Sequence, residues 1–223
     1  MPGWQKLDWA HSQINLNHNF TASIIYDLPF GKGKQFGHDW SGPVNAILEN
    51  WQATLIEKIT SGFPVFVVNS VNGTTYGSGV NFQNNGNSFN RPDLVGDPNK
   101  AGPVAANSGC TAPAKVHTVA NWFNPCAFAF PAFGELGNAS RTPVDGPGFV
   151  NTDFSLIKQF NLPWEHVGLN FRAEFFNLFN HPQFALPVPG SGYADIASGS
   201  GFGAISSTVN NPRVMQFGLK LTF

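Results

Sequence analysis

A glycine- and lysine-rich stretch, FGKGKQFG (residues 30–37), six histidines and a few paired charges are the parts of this 223-residue sequence that could do chemistry. Glycine beside lysine suits phosphate, because bare backbone N–H groups approach the anion and the ammonium neutralises it. Here the spacing matches neither glycine fingerprint, and no Ser or Thr follows the lysines as a P-loop requires. The stretch reads as a basic turn. His11, His18, His38, His117, His166 and His181 are dispersed, with no i, i+4 pair, so they do not spell a metal or hydrolase site. No Ser/His/Asp or Cys/His set has supporting context. Arg213, in NPRVMQ, is a strand-entry charge rather than an anion trap. Arg172 and Glu174 lie two residues apart, and with Lys220 and Asp153 they form a charge ladder across strands. The expectation is therefore a protein without catalysis and without a cofactor.

The elements that position these residues follow from composition and period. Only 11% of residues are charged, against roughly 25% in ordinary soluble domains. The formal net charge is −1, which gives no electrostatic case for nucleic acid. There are 22 phenylalanines, 24 glycines and 17 prolines, a mixture that suits strands and turns better than helices. No run approaches the 18 or so apolar residues of a membrane-spanning helix. The opening MPGWQKLDWAHSQ has no basic n-region followed by an apolar h-region, so the expectation is that the parent protein begins upstream.

A period of two recurs along the chain. In RVMQFGLKLTF, Met215, Phe217, Leu219, Leu221 and Phe223 alternate with Gln216, Gly218, Lys220 and Thr222. VGLNFRAEFF, FVNTDFSLIKQFN and INLNHNFTASIIYDL repeat the pattern, and Trp51, Ala53, Leu55 and Ile59 carry it through a fifth, less regular stretch. Strands are predicted near 14–28, 46–68, 149–161, 167–180 and 212–223, with a long loop over 69–148. Such strands exceed the 5–6 residues usual in globular sheets and match the 9–11 or so needed to cross a bilayer. If direction alternates, short connections fall at one end and long ones at the other, as in outer-membrane barrels. Phe30, Trp40, Trp51, Trp164 and Phe223 gather at the short end, as an aromatic girdle would. Lys158, Glu57 and His18 fall on the apolar parity: Lys158 near a strand end where it can snorkel, Glu57 only if a bulge or register change intervenes. Cys110 and Cys126, both in the long loop, admit either a disulfide in an oxidising compartment or two free thiols.

ASIIYDLPFGKGKQF, RTPVDGPGFVNTDFSLIKQF, LNFRAEFFNLFNHPQFALP and FGAISSTVNNPRVMQFGLKLTF, in this order, resemble the C-terminal barrel of TonB-dependent outer-membrane receptors. The nearest likeness is to the subgroup with an N-terminal carboxypeptidase-regulatory-like domain. The resemblance implies an all-β fold, an antiparallel up-and-down transmembrane β-barrel segment with long extracellular loops, in the outer membrane. It implies TonB-dependent uptake of a nutrient, with the TonB system, the barrel-assembly machinery and outer-membrane lipid as partners. The terminal strand, with Phe217, Leu219, Leu221 and Phe223, would be the signal that the assembly machinery reads. Arg172, Glu174, Lys220 and Asp153 would face the lumen. Plug and N-terminal domains are absent from the sequence, so the expectation is a C-terminal fragment of a larger barrel. Two other readings compete: a secreted β-sandwich carbohydrate-binding or adhesin module, and a small self-contained barrel drawing further strands from FPVFVV and VHTVANWF.

Overall fold

The computed structural model describes residues 9–70, 90–132, 135, 137–162, 167–188 and 192–223. Trp164, His166 and most of the Asn-rich run TTYGSGVNFQNNGNSFN lie outside the described residues. The elements in chain order are β1 (Asn19–Asp27), helix α1 (Gly42–Leu48), β2 (Trp51–Thr60), β3 (Pro64–Val65), β4 (Val67–Val68) and β5 (Asp93–Leu94), then β6 (Phe128–Ala129), β7 (Val144–Asp145), β8 (Phe149–Asn161), β9 (Gly168–Phe176), β10 (Ala194–Asp195) and β11 (Val214–Thr222). The chain divides into two units.

The sheet unit, His18–Thr60, Phe149–Gln183 and Asn210–Phe223, holds the five long strands. They form one antiparallel sheet in the order β1-β2-β8-β9-β11, which is also their order in sequence. This is an up-and-down meander, the antiparallel barrel-wall topology that the alternation predicts. Strand lengths run from 9 to 13 residues, enough for a tilted crossing of the hydrocarbon layer. Among the described residues, the outer edges of β1 and β11 pair with no further strand.

Three boundaries differ from those expected, each for a local reason. The expected strand over 46–68 is broken at both ends. Residues 42–48 are helical, started by Pro43 in the first turn, and Asn50 takes a left-handed φ of 56° before β2 begins. FPVFVV continues into the other unit as β3 and β4. β9 stops at Phe176, not 180, because Asn177 and Asn180 adopt φ of 52° and 53°, a conformation that asparagine tolerates better than most residues. β1 starts at Asn19 rather than 14, since Asn15 turns back to bond Asn17 and Ser12. Asparagines that bond locally compete with a ladder in this way.

The loop unit, Met1–Asn17, Ser61–Gly148 and Phe184–Val209, is where expectation fails most. The segment 69–148 is not a plain loop. With 61–68 and 184–209 it builds a core of Val65, Val67, Phe123, Ala127, Phe128, Val144, Ala194 and Phe202. Three short pairings frame it: β3 with β7, β4 with β10, and β5 with β6. VHTVANWF forms no strand and FPVFVV none in the five-stranded sheet.

Candidate functional site: a two-faced wall and a disulfide-bonded loop unit

Register fixes the two faces of the sheet. On one face Tyr26, Ala53, Leu156, Ala173 and Phe217 fall in one row across all five strands. Ile24, Leu55, Phe154, Phe175 and Met215 form the next row. On the other side of the first row, Trp51, Lys158, Phe171 and Leu219 make a third. Aromatic rings join the rows: Phe171 stacks on Phe217 at 6.4 Å, and Phe175 meets Phe217 edge-on at 6.3 Å. On β1 and β11 these large side chains are not covered by protein. Phe217 is 67% exposed and Leu219 69%. A continuous apolar surface of this kind is tolerable only against another apolar phase.

The opposite face carries Asn19, Thr21, Ser23 and Asp27, then Gln52, Thr54 and Lys58. Asn151, Asp153, Ser155 and Gln159 follow, then Asn170, Arg172 and Glu174, and finally Gln216 and Lys220. Arg172, Glu174, Lys220 and Asp153 therefore share one face. Their pairing differs from the cross-strand ladder expected. Arg172 lies 3.4 Å from Glu174 on its own strand, Glu174 accepts from Gln216 on β11, and Asp153 accepts from the Asn177 backbone N–H at 2.9 Å. Gly218, with no side chain, leaves a depression of about 500 Å³ lined by Ile157, Asn170, Arg172, Leu219 and Lys220.

The two charges on the apolar face are both accounted for. Lys158 is 1% exposed. Its ammonium donates to the Glu49 carbonyl at 2.5 Å and lies 4.9 Å from the Phe160 ring and 5.5 Å from that of Trp51. Cation–π contact replaces part of its hydration. Glu57 requires no bulge: β2 is in unbroken register with both neighbours from Trp51 to Thr60. Instead Thr152, directly opposite, donates its hydroxyl to Glu57 at 2.6 Å.

A feature that the alternation did not reveal lies just past β9, in NLFNHPQ. Asn177 is buried, and its backbone N–H reaches Asp153 on β8. Its side chain bonds both the N–H and the carbonyl of His181, and also the Asn211 carbonyl ahead of β11. Asn180 accepts from the Arg213 N–H at 2.9 Å. Gln183, 2% exposed, binds both backbone groups of Val150 at the start of β8. One turn thus clasps three strands at their long-connection end. The only sequence signal was the density of side-chain amides in a segment otherwise read as strand and turn. Arg213 is at a strand entry, as expected, with its guanidinium 3.4 Å from the Leu178 carbonyl.

In the loop unit, Cys110 and Cys126 form a disulfide, with Cα atoms 5.5 Å apart. Between the half-cystines, Phe123 meets Phe128 and Phe202 edge-on at 5.7 and 5.0 Å, and those two rings are 5.5 Å apart. Gly203, at φ 83°, passes so close that an added Cβ would sit 3.1 Å from the Phe123 ring. Side-chain amides replace ladder bonds here too. Asn124, 1% exposed, donates to the carbonyls of Lys100 and Gly102 and accepts from the Cys126 N–H. Asn107 donates to Cys126 and Phe128 carbonyls.

Residues 2–216 match the family model of the outer membrane beta barrel domain. The chain belongs to that family. No curated protein and no solved structure matches it. For an outer-membrane barrel domain the apolar rows are the face that meets lipid. The secreted-sandwich alternative falls on this placement.

Proposed function

We propose that this chain is the C-terminal wall of a TonB-dependent outer-membrane receptor of the carboxypeptidase-regulatory-like subgroup, serving uptake of a nutrient ligand. The observation that carries this reading is the open five-stranded meander, whose two long connections leave at one end and fold into a disulfide-bonded unit. Open edges in lipid leave backbone groups unsatisfied at several kcal/mol each, so β1 and β11 require further strands to complete the wall. A wall with many strands leaves a lumen wide enough to need a plug. RAEFFNLFNHPQF and the alternating terminal strand, ending on Phe223, support the same subgroup by resemblance. In this reading the loop unit lies outside the cell and contributes to ligand capture, and a plug driven by the TonB system gates passage. The barrel-assembly machinery reads the Phe217–Phe223 strand. The chain performs no catalysis and takes no nucleic acid as partner.

Size separation of outer membranes from the source cells, followed by peptide mass spectrometry, tests this directly. The expected species is heat-modifiable, runs well above the 24.1 kDa of this chain, and yields plug peptides beside those of the wall. A heat-modifiable species running at the mass of this chain alone would overturn TonB-dependent uptake and leave a small outer-membrane barrel.

A further inference from the structure

Helix α1 is too short to be stable alone in water, and its amphipathicity is inverted. Val44, Ile47 and Leu48, at i, i+3 and i+4, share one face and are 52%, 61% and 39% exposed. The polar side is the one held by protein. The Asn45 side chain accepts from the Lys32 N–H at 2.8 Å and donates to Glu49 at 2.5 Å. Gly31, at φ 117°, packs so closely on Glu49 that an added Cβ would lie 2.6 Å from the Glu49 Cβ. A helix serving a water-facing surface would show the reverse arrangement.

The position of α1 follows from two side chains on the lipid-facing parity of the sheet. Trp51 donates its indole N–H to the Ile47 carbonyl at 2.9 Å, and Lys158 donates to the Glu49 carbonyl. Both reach outward from the short-connection end and satisfy carbonyls at the C-terminus of α1, groups that a helix leaves without intrahelical partners. The last turn of α1 is therefore tied to the side of the wall that carries the apolar rows, with its own apolar stripe exposed. Phe30 and Phe36, paired at 5.8 Å and 37% and 50% exposed, lie in the same connection between β1 and β2.

We infer that α1 is an interfacial anchor, its Val44–Ile47–Leu48 stripe seated in the acyl–headgroup boundary of the phospholipid leaflet at the short-connection end. Apolar side chains of a surface helix bury about 5–10 Å into that boundary. The inference rests on membership of the barrel family and is independent of TonB dependence. Lys158 is the positioning residue: its long stem lies along the apolar face while its charge ends on the helix C-terminus, where cations are favoured.

Spin labels on the full natural gene product, in native outer membranes or liposomes, test this by collision with oxygen, which partitions into lipid, and with a water-soluble nickel chelate. Labels go on Ile47→Cys, Leu219→Cys and Lys34→Cys in separate variants. The expected result is oxygen-dominated collision at 47 and 219 and nickel-dominated collision at 34. Nickel dominance at 47 with oxygen dominance at 219 overturns the anchor while leaving the wall orientation intact. Nickel dominance at 219 overturns both. Dipolar broadening between labels at 47 overturns it in favour of a second copy on this surface. Val44→Cys reads the same stripe should Ile47→Cys fail to assemble.

Discussion

In the loop unit Val65, Phe123 and Ala194 are fully buried and Phe202 is 6% exposed, whereas on the outer face of the sheet Met215, Phe217 and Leu219 are 55–69% exposed. Both regions are rich in large apolar side chains, yet one turns them inward and the other outward. The loop unit obeys the ordinary rule that apolar area leaves water by meeting itself. The sheet obeys it by meeting lipid, and apart from Glu57 and Lys158 keeps its charges for the other face. Backbone satisfaction differs in the same sense. In the sheet β2, β8 and β9 are paired on both sides, as a lipid-embedded segment must be, and β1 and β11 on one. Among its described residues the loop unit has only two-residue strands, and asparagine side chains and a disulfide supplement its backbone bonds.

The largest expected effect breaks the inward half of that contrast. Phe123→Ala deletes the ring at the centre of the aromatic trio, and core truncations of this size cost about 3–5 kcal/mol. Limited proteolysis should show rapid cleavage within 90–132, while the assembled barrel remains heat-modifiable on a gel. Unchanged protease resistance would show that the trio is not a core.

Breaking the outward half requires adding charge rather than removing volume. Phe217→Arg places a guanidinium in mid-strand on the lipid face, where it costs about 2–4 kcal/mol at the bilayer midplane. Gln216→Arg, one residue away on the polar face, should cost far less. The fraction folded in liposomes across a urea series measures both. Equal destabilisation by the two would mean that the faces are not in different solvents.

What the sequence made legible divides along the same line. Strict alternation such as Phe217-Gly218-Leu219-Lys220 is a local signal, so the strands, their order and the shared face of Arg172, Glu174, Lys220 and Asp153 can be read without coordinates. The loop unit has no period to read. Its core joins Val65, Phe123 and Phe202, residues far apart in sequence, and only tertiary packing brings them together. The Cys110–Cys126 bond was one of two open readings because spacing alone does not place two Cα atoms 5.5 Å apart. Glu57 misled for the opposite reason: parity made it a fault in the strand, while the partner that removes the fault, Thr152, sits on β8.

Asn177 sharpens the comparison, because it brings the loop unit's device to the edge of the sheet. The regular ladder ends at Phe176, and from there buried amides take over the work of joining strands. Asn177→Ala removes the acceptor for the His181 N–H and the donor to the His181 and Asn211 carbonyls. It also puts alanine at a φ of 52°, which asparagine tolerates and alanine does not. Leaving buried partners unmet costs about 1–3 kcal/mol, less than the charge on the lipid face but more than a surface change. The expected consequence is faster hydrogen exchange at Val150, Leu178 and Val214, at the long-connection ends of β8, β9 and β11, with exchange at Leu169 and Leu221 unchanged. Uniform loss across all three strands would mean that the clasp is part of the sheet's global stability. No change at all would mean that the ladder alone sets the register and the amides merely follow it.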